Sequence, residues 1–340
     1  MFSCSAVILE KANFFNDTIV SRSTNIYVGP AKITDCTFKM CLNYDLKGGA
    51  IYSLSDLDIK HSLFFQNTGK KGGSIYCKGN ITVIHSTFEQ GYAKTGGAIY
   101  NEDSSVFDIS QTDFAKLESI NHGCFIKKSK CFASINYLNV SFTSAQSQNG
   151  GFCLDGGYGT IRNCDMKTVY AASKTCILLT GIENTKIEQC YFLLAVAESY
   201  GSILCVEKTN SSVDFLQCAI MGCSSGERLL NADEGSEIRV YSLCTTEQAN
   251  LIAGNKVSFV GQSLFGRYCK NQLFDPNIKV GYYLNTLDGK TSDIKSDIKQ
   301  GVIIGLLSVL PLMAGFFLAI FLMKQIKIWK NNRGQPLKFQ

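Results

Sequence analysis

The chain has little proline and little charge, and both shortages narrow the class of protein it can be. Only 4 of its 340 residues are proline and 18% are charged, whereas 45% are hydrophobic. A disordered chain would carry more charge and less apolar surface, so we expect a folded protein with a large core. Glycine (30 residues), phenylalanine (22) and tyrosine (15) are plentiful, which favours strands and turns.

The sequence also lacks a basic surface that could bind nucleic acid. The net charge is +5, and the residues after Met323 contain five basic side chains and no acidic one. The remainder of the chain is therefore balanced, and the asymmetry is confined to the C-terminus. We predict no nucleic-acid partner.

Paired C-x-x-C motifs are missing, although the chain contains 15 cysteines. Without such pairs the cysteines do not predict zinc knuckles. Cys164, Cys190 and Cys218 recur at equivalent positions of a repeat, which favours buried thiols, with a disulfide among them as the alternative. Cys244 and Cys269 are the better candidates for a disulfide, provided that the compartment is oxidising.

A cleavable signal peptide is not apparent at the N-terminus. The apolar run from Ala6 to Leu9 is short, and Glu10 and Lys11 follow it directly. We expect either that the protein enters membranes without a cleaved signal, or that a signal and an N-terminal cap precede Met1.

What the chain does have is a repeat. Its clearest copies are Gly48–Tyr52, Gly72–Tyr76 and Gly96–Tyr100, which read Gly-Gly-small-Ile-Tyr at intervals of 24 residues. A second motif of six residues recurs at intervals of 24–28 residues. It consists of an aliphatic residue, any residue, a polar residue, a small residue, any residue, and an aromatic or apolar residue. Its final residues are Phe38, Phe64, Phe88, Phe114, Phe142, Met166, Phe192 and Ile220. Two motifs that recur with the same period predict a solenoid of roughly nine turns.

The segments within each repeat are short, rich in β-branched and aromatic residues, and free of helical periodicity. We therefore predict an all-β fold, a parallel β-helix whose turns stack at roughly 4.8 Å. The phenylalanine positions should point inward as a stack. The polar residue before each small residue should bend the chain in a left-handed conformation. These bend residues are Asp35, His61, His85, Gln111, Asn139, Asn163, Gln189 and Gln217.

Two constellations could carry chemistry, and for both we favour a structural role. His61 and His85 follow Asp35 in the bend positions and could share a metal, but bends explain them better, so no metal or cofactor is predicted. Asp58 and Asp108 share another column with Asp214, but Thr82 and Asn136 interrupt it. Glycoside hydrolysis needs two converging carboxylates. We therefore predict no catalytic residues.

Four N-glycosylation sequons are present, with their asparagines at Asn16, Asn80, Asn139 and Asn210. In a chain with this much serine, threonine and asparagine, roughly three such matches arise by chance. They are candidate sites that are compatible with export and do not argue for it.

A membrane anchor is predicted near the C-terminus. Gly301 to Met323 contains 23 residues without a charge, which as a helix would span a hydrocarbon core of about 30 Å. The basic residues that follow favour a cytoplasmic tail. The predicted organisation is 1–245 β-helix repeats, 246–292 C-terminal cap and irregular region, 293–300 polar stem, 301–323 transmembrane helix and 324–340 cytoplasmic tail.

The two motifs together resemble the repeats of the chlamydial polymorphic membrane proteins and of related surface proteins in trichomonad parasites. Those proteins carry G-G-A-I and F-x-x-N tetrapeptides. Gly48–Ile51 and Gly96–Ile99 match the first, Gly72–Ile75 nearly does, and Phe64–Asn67 matches the second. The resemblance is clear over residues 30–155 and implies a right-handed β-helix and a role in surface adhesion. The single helix and basic tail resemble the protist members.

The sequence thus predicts a single-pass protein of the plasma membrane, with its β-helix outside the cell and its tail inside. We expect adhesion or surface display, with a host-cell or matrix ligand. The loops expected after each phenylalanine, such as Asn67–Lys71 and Gln90–Thr95, are candidate contact sites. The alternatives are a membrane-tethered enzyme that acts on polysaccharides, and a tail-anchored scaffold that faces the cytosol.

Overall fold

The computed structural model describes residues 7–9, 13–15, 17–20, 24–26 and 29–265, except for 175, 200, 209–211, 234 and 255. Within these residues the chain forms a parallel β-solenoid of about eight turns, which confirms the predicted fold class; the repeat predicted roughly nine turns. The predicted cytoplasmic tail and the segment 301–323 lie outside the described residues. Among the described helices, none is long and apolar enough to cross a bilayer.

A full turn has four sides, which we number in chain order. Strands that begin on side 1 are Asn13–Phe15, Ala31–Thr34, Leu57–Lys60, Ile81–Ile84, Val106–Ala115, Phe132–Ala145, Ser212–Leu216, Glu237–Tyr241 and Val257–Phe259. Strands that begin on side 2 are Thr18–Val20, Thr37–Lys39, Leu63–Phe65, Thr87–Glu89, Asp165–Ala171, Tyr191–Leu193, Ala219–Met221, Cys244–Thr245 and Leu264–Phe265.

Side 3 is formed by shorter strands, and side 4 leads back to the next turn. Side 3 strands are Leu42–Lys47, Thr68–Lys71, Tyr92–Thr95, Glu118–Ser119, Val196–Ala197 and Ser224–Ser225. Strands that begin on side 4 are Val7–Leu9, Thr24–Ile26, Ile51–Ser53, Ile75–Cys77, Ile99–Glu102, Phe125–Lys128, Phe152–Arg162, Ile177–Glu188, Leu204–Glu207 and Leu230–Ala232. One short helix, Ala249–Ile252, interrupts the last turn.

The phenylalanine stack that the sequence predicts forms the centre of the core. Rings of Phe38 and Phe64 are 4.9 Å apart and nearly parallel, and Phe88 continues the stack at 4.6 Å and Phe114 at 5.1 Å. All four side chains are fully buried. Burial of aromatic area and stacking between neighbours both stabilise the turns, each ring pair by about 1 kcal/mol beyond its area.

Phe142 was expected to continue this stack, and that prediction is wrong. The strand register pairs Phe114 with Val140, so Val140 is the inward residue, while Phe142 is 62% exposed. Val140 and Phe142 differ by two residues, and a shift by two leaves the inward and outward alternation of a strand unchanged. Periodicity therefore could not separate them, and the turn length of 26 residues decides the register.

The predicted left-handed bend between sides 1 and 2 is confirmed, with one change of residue. Its members have φ between 48° and 57° and are Asp35, His61, His85, Gln111, Tyr137, Asn163, Gln189, Gln217 and Ser242. Tyr137 takes the place predicted for Asn139, because the same two-residue shift applies. Asn139 instead lies on side 2, beside Asp113.

The double glycine at the corner between sides 3 and 4 has a steric cause. Gly72 has φ +69°, which side chains rarely adopt, and a Cβ there would meet the Ile75 carbonyl oxygen at 1.9 Å. A Cβ on Gly73 would lie 2.0 Å from the carbonyl oxygen of Gly97, one turn further on. The corner thus needs one glycine for its conformation and a second for the close contact between turns.

The asparagine of the Phe64–Asn67 tetrapeptide also has a structural role. Asn67 is fully buried, and its Oδ1 accepts a hydrogen bond from the Cys41 backbone at 2.9 Å. Its Nδ2 donates to the Phe38 carbonyl oxygen at 3.2 Å. Because a buried backbone group without a partner is costly, this side chain stabilises the corner between two successive turns.

Candidate binding face

The bend between sides 2 and 3 places a line of side chains on the outside of the solenoid. Its residues have φ between 51° and 55° and are Met40, Gln66, Gln90, Lys116, Phe142, Thr168 and Leu194. Two residues further on, the side 3 strands present a second outward line, which is Leu42, Thr68, Tyr92, Glu118, Ser144, Tyr170 and Val196. We call these two lines the corner face.

Several large apolar side chains of the corner face are exposed. Phe142 is 62% exposed, Leu194 50% and Tyr170 42%, and Tyr92 is 39% exposed. Single exposed apolar residues are ordinary on a protein surface, whereas several on one face are a feature of interaction sites. The corner face is therefore the candidate functional site of the described residues.

An open cleft lies in the middle of the corner face. Its volume is about 490 Å³, and it is lined by Gln90, Gly91, Tyr92, Lys116, Glu118 and Phe142. The strand register pairs Tyr92 with Glu118, and Glu118 with Ser144. Tyr92 and Phe142 are therefore two turns apart, roughly 10 Å along the solenoid, with the polar residues between them.

The polar groups of the cleft are arranged as hydrogen-bonding partners without a surplus of positive charge. Lys116 Nζ donates to Glu89 Oε1 at 2.9 Å, which offsets its charge. Gln66 Nε2 donates to Gln90 Oε1 at 2.7 Å. The lining residues themselves carry one ammonium group, on Lys116, and one carboxylate, on Glu118, so the cleft has no surplus of positive charge for an anionic ligand.

The backbone of this face is already paired on both sides. Leu63–Phe65 pairs with the strands before and after it, and Tyr92–Thr95 pairs with Thr68–Lys71 and Glu118–Ser119. A peptide therefore has no free strand edge to extend at this place. Recognition at the corner face must come from side chains.

The predicted contact segments lie partly in this face. Asn67–Lys71 and Gln90–Thr95 were expected to be loops, whereas most of each is a side 3 strand. Gln90 and Tyr92 line the cleft, while Asn67 points inward. The sequence therefore indicated the side of each turn on which the cleft lies, and the exposed aromatic at Phe142 was missed because it was assigned to the core.

A second feature, which the sequence did not predict, is a ladder of tyrosines whose rings point away from the central core on side 4 and are covered by lysines. The rings of Tyr52 and Tyr76 are 5.3 Å apart, and those of Tyr76 and Tyr100 are 5.7 Å apart. Lys47 Nζ lies 4.3 Å from the centre of the Tyr76 ring, and Lys71 Nζ 4.5 Å from that of Tyr100. These contacts stabilise the lysines by cation–π attraction.

Glu102 completes this ladder. Its carboxylate accepts hydrogen bonds from the Tyr76 hydroxyl and from Lys71 Nζ, the latter at 3.1 Å. Burial alone raises the pKa of Glu102, but hydrogen bonds from Tyr76, Lys71 and Tyr100 together outweigh it and lower the pKa to about 2. Burial, followed by the hydrogen bond to Glu102, raises the pKa of Tyr76 well above its usual range.

The ladder is an internal network, because its polar groups bind one another. Lys47 Nζ also donates to the Tyr76 hydroxyl at 2.8 Å, and Tyr76 is fully buried. Its signal in the sequence is the lysine before the double glycine, in Lys47–Tyr52 and Lys71–Tyr76. That lysine precedes two of the three clear copies and reaches the tyrosine of the following turn.

The predicted acidic column is confirmed as a scattered one. Thr82 pairs with Asp58 on one side and with Asp108 on the other. Asp108 pairs with Ser134, so Asn136, which was predicted for this column, lies two residues later and pairs with Ser110. Asp214 is held by Arg239 at 2.7 Å. The three carboxylates do not converge on one place.

The histidine bends form a stacked pair. Rings of His61 and His85 are 5.1 Å apart, and His61 Nδ1 is 3.7 Å from the Asp35 carboxylate. Burial and then the neighbouring His61 lower the pKa of His85. Within the described residues, no group of three or more histidine, cysteine or acidic side chains is placed to hold a metal.

The cysteine column consists of buried free thiols. Cys164, Cys190 and Cys218 are all free and at most 2% exposed. The favoured prediction of buried thiols is thereby confirmed. Burial, as the largest cause, raises the pKa of Cys164 and Cys190 well above the usual thiol range. Cys244 is disulfide-bonded, and Cys269, its predicted partner, lies outside the described residues.

Two of the four sequon asparagines can be placed. The side chain of Asn80 connects turns, since its Oδ1 accepts from the Ser105 and Val106 backbone and its Nδ2 donates to Asp56. Asn139 is half-buried beside Asp113. A glycan on Asn80 would replace its hydrogen bond to Asp56. Asn16 and Asn210 lie outside the described residues.

Comparison with protein-family models finds no match to this chain. Comparisons with curated proteins and with solved structures find no match either. The class that the fold itself defines is the parallel β-solenoid, and function has to be argued from its surface.

Proposed function

We propose that the protein is a membrane-anchored cell-surface β-helix that displays the corner face for adhesion. The observation that carries this proposal is the combination of exposed apolar side chains and an open cleft on one face of a rigid stack. A solenoid suits display, because each turn is held by its neighbours and its outward side chains keep fixed spacings.

The anchoring and orientation in this proposal rest on the sequence. The uncharged segment 301–323 would span the membrane, and the basic tail would remain in the cytoplasm. This arrangement would place the solenoid outside the cell. The resemblance of the repeats to polymorphic membrane proteins supports an adhesive role and a right-handed winding.

Two measurements test the proposal. Intact cells that express the full chain are treated with a membrane-impermeant amine reagent, and lysines of the solenoid are expected to be labelled without permeabilisation. The same cells should be retained on a monolayer of cultured cells or on extracellular matrix, more than cells without the protein. Labelling that requires permeabilisation would refute surface display and favour a scaffold that faces the cytosol.

The corner face is tested in the same assay with a matched pair of substitutions. Phe142 and Tyr137 lie on one strand, have φ of 54° and 53°, and are 62% and 52% exposed. Only Phe142 belongs to the corner face. Phe142→Asn should reduce retention and Tyr137→Asn should not, since asparagine tolerates the left-handed conformation at both positions. Equal effects would contradict recognition by the corner face.

A further inference from the structure

The cleft of the corner face combines two kinds of side chain that a saccharide needs. A sugar ring has an apolar surface of C–H groups and an edge of hydroxyl groups that both donate and accept hydrogen bonds. Tyr92 and Phe142 provide aromatic surfaces at the two ends of the cleft. Gln90, Lys116 and Glu118 lie between them and provide donors and acceptors.

The spacing of the aromatic residues favours a chain of several sugar units over a single one. Tyr92 and Phe142 are two turns apart along the register through Glu118 and Ser144, which is roughly 10 Å. Aromatic rings at this separation can contact different rings of one oligosaccharide. The cleft is open, so a chain can extend past both ends along the solenoid.

The charge of the cleft selects among saccharides. Lys116 already forms an ion pair with Glu89 at 2.9 Å, and Glu118 adds a further carboxylate. A sulfated or carboxylated glycan would find no surplus of positive charge to bind it. A neutral glycan needs no such surplus and can use the carboxylate of Glu118 as an acceptor for its hydroxyls.

The backbone excludes strand addition, the mode in which an extended peptide joins a sheet. The strands beneath the cleft pair with neighbours on both sides, and a peptide that adds to a sheet needs an unpaired edge. We infer that the cleft binds a neutral oligosaccharide, with Tyr92 and Phe142 against its sugar rings and Gln90, Lys116 and Glu118 on its hydroxyls. This inference rests on the proposed role of the corner face in recognition.

Binding is measured with the full-length protein in detergent micelles on an array of oligosaccharides. The array carries neutral hexasaccharides of glucose, mannose, galactose and N-acetylglucosamine, and sulfated and sialylated glycans of similar length. We expect retention on at least one neutral class. Because one well-placed aromatic contact contributes about a tenfold change in affinity, Phe142→Asn and Tyr92→Ala should each weaken binding by about tenfold.

Tyr137→Asn is the matched control and should leave binding unchanged. Circular dichroism of each variant verifies that the solenoid is intact, and these positions are exposed, so folding should be retained. Retention on anionic glycans only, no retention of the wild type, or equal losses for Phe142→Asn and Tyr137→Asn would each overturn the saccharide proposal.

The outcome also separates this inference from the proposed function. If Phe142→Asn reduces cell retention while no neutral saccharide binds, the corner face still acts in recognition and the saccharide class is wrong. If neutral saccharides bind but intact cells are not labelled, the inference stands and surface display fails.

Discussion

Glu102 offers the sharpest test of how the outer surface of side 4 is stabilised. Its side chain is 20% exposed, and it accepts hydrogen bonds from Tyr76 and from Lys71, with Lys47 3.9 Å away. Glu102→Gln keeps the shape of the side chain and removes its charge. Both lysines then lose their counter-charge beside a buried tyrosine, so we expect this part of the solenoid to become less stable.

The magnitude follows from the pKa. A carboxyl pKa lowered from 4.5 to about 2 corresponds to at most about 3 kcal/mol. Since part of the side chain is in water, screening reduces this value, and we expect about 1–2 kcal/mol. Because the folded pKa is the lower one, this contribution is complete above the usual pKa of 4.5 and is lost as the pH falls from there towards 2.

Local stability is the appropriate quantity, since solenoids open turn by turn. Hydrogen exchange of peptides from residues 72–103, measured by mass spectrometry, should be about tenfold faster in Glu102→Gln than in the wild type near pH 7. The ratio should shrink as the pH falls below 4.5 and should approach one near pH 2. Glu118→Gln, which removes an exposed carboxylate, is the control and should leave these peptides unchanged. An equal effect of the control, or a ratio that does not depend on pH, would refute the reasoning.

Three further predictions concern the repeat itself. Gly73→Ala places a Cβ 2.0 Å from a neighbouring backbone oxygen and should lower the stability by more than about 2 kcal/mol. Gly181→Ala, whose Cβ has its nearest atom at 4.0 Å, should lower it by about 1 kcal/mol. Thermal unfolding compares the two variants, and equal losses of stability would contradict the steric account. Phe88→Ala should cost about 3–5 kcal/mol by opening a cavity in the stack, while Phe142→Ala should change the thermal midpoint far less. Burial raises the pKa of the Cys77, Cys124 and Cys153 thiols to about 12. An alkylating reagent at pH 8 should therefore modify these thiols only after denaturation. Rapid labelling of the native protein would count against their burial.

Only part of the corner face could be predicted from the sequence. The phase of the repeat indicated which segment of each turn faces outward after the phenylalanine, and Gln90 and Tyr92 do line the cleft. Phe142 was not assigned to it, because an aromatic residue two positions from the inward one satisfies the same alternation. The register between Phe114 and Val140 is a contact across 26 residues, and local periodicity carries no information about it.

The sequence by itself determined the all-β solenoid, its turn length, the double-glycine corner and the left-handed bend before side 2. These features are recoverable because each turn meets the same steric conditions as its neighbours, so the same residue types recur at a fixed interval. The tertiary structure alone decided which exposed side chains lie together in the cleft, and that Glu102 binds Tyr76 and Lys71. Such contacts join residues of different turns, and their geometry depends on the stacked backbone that brings them together.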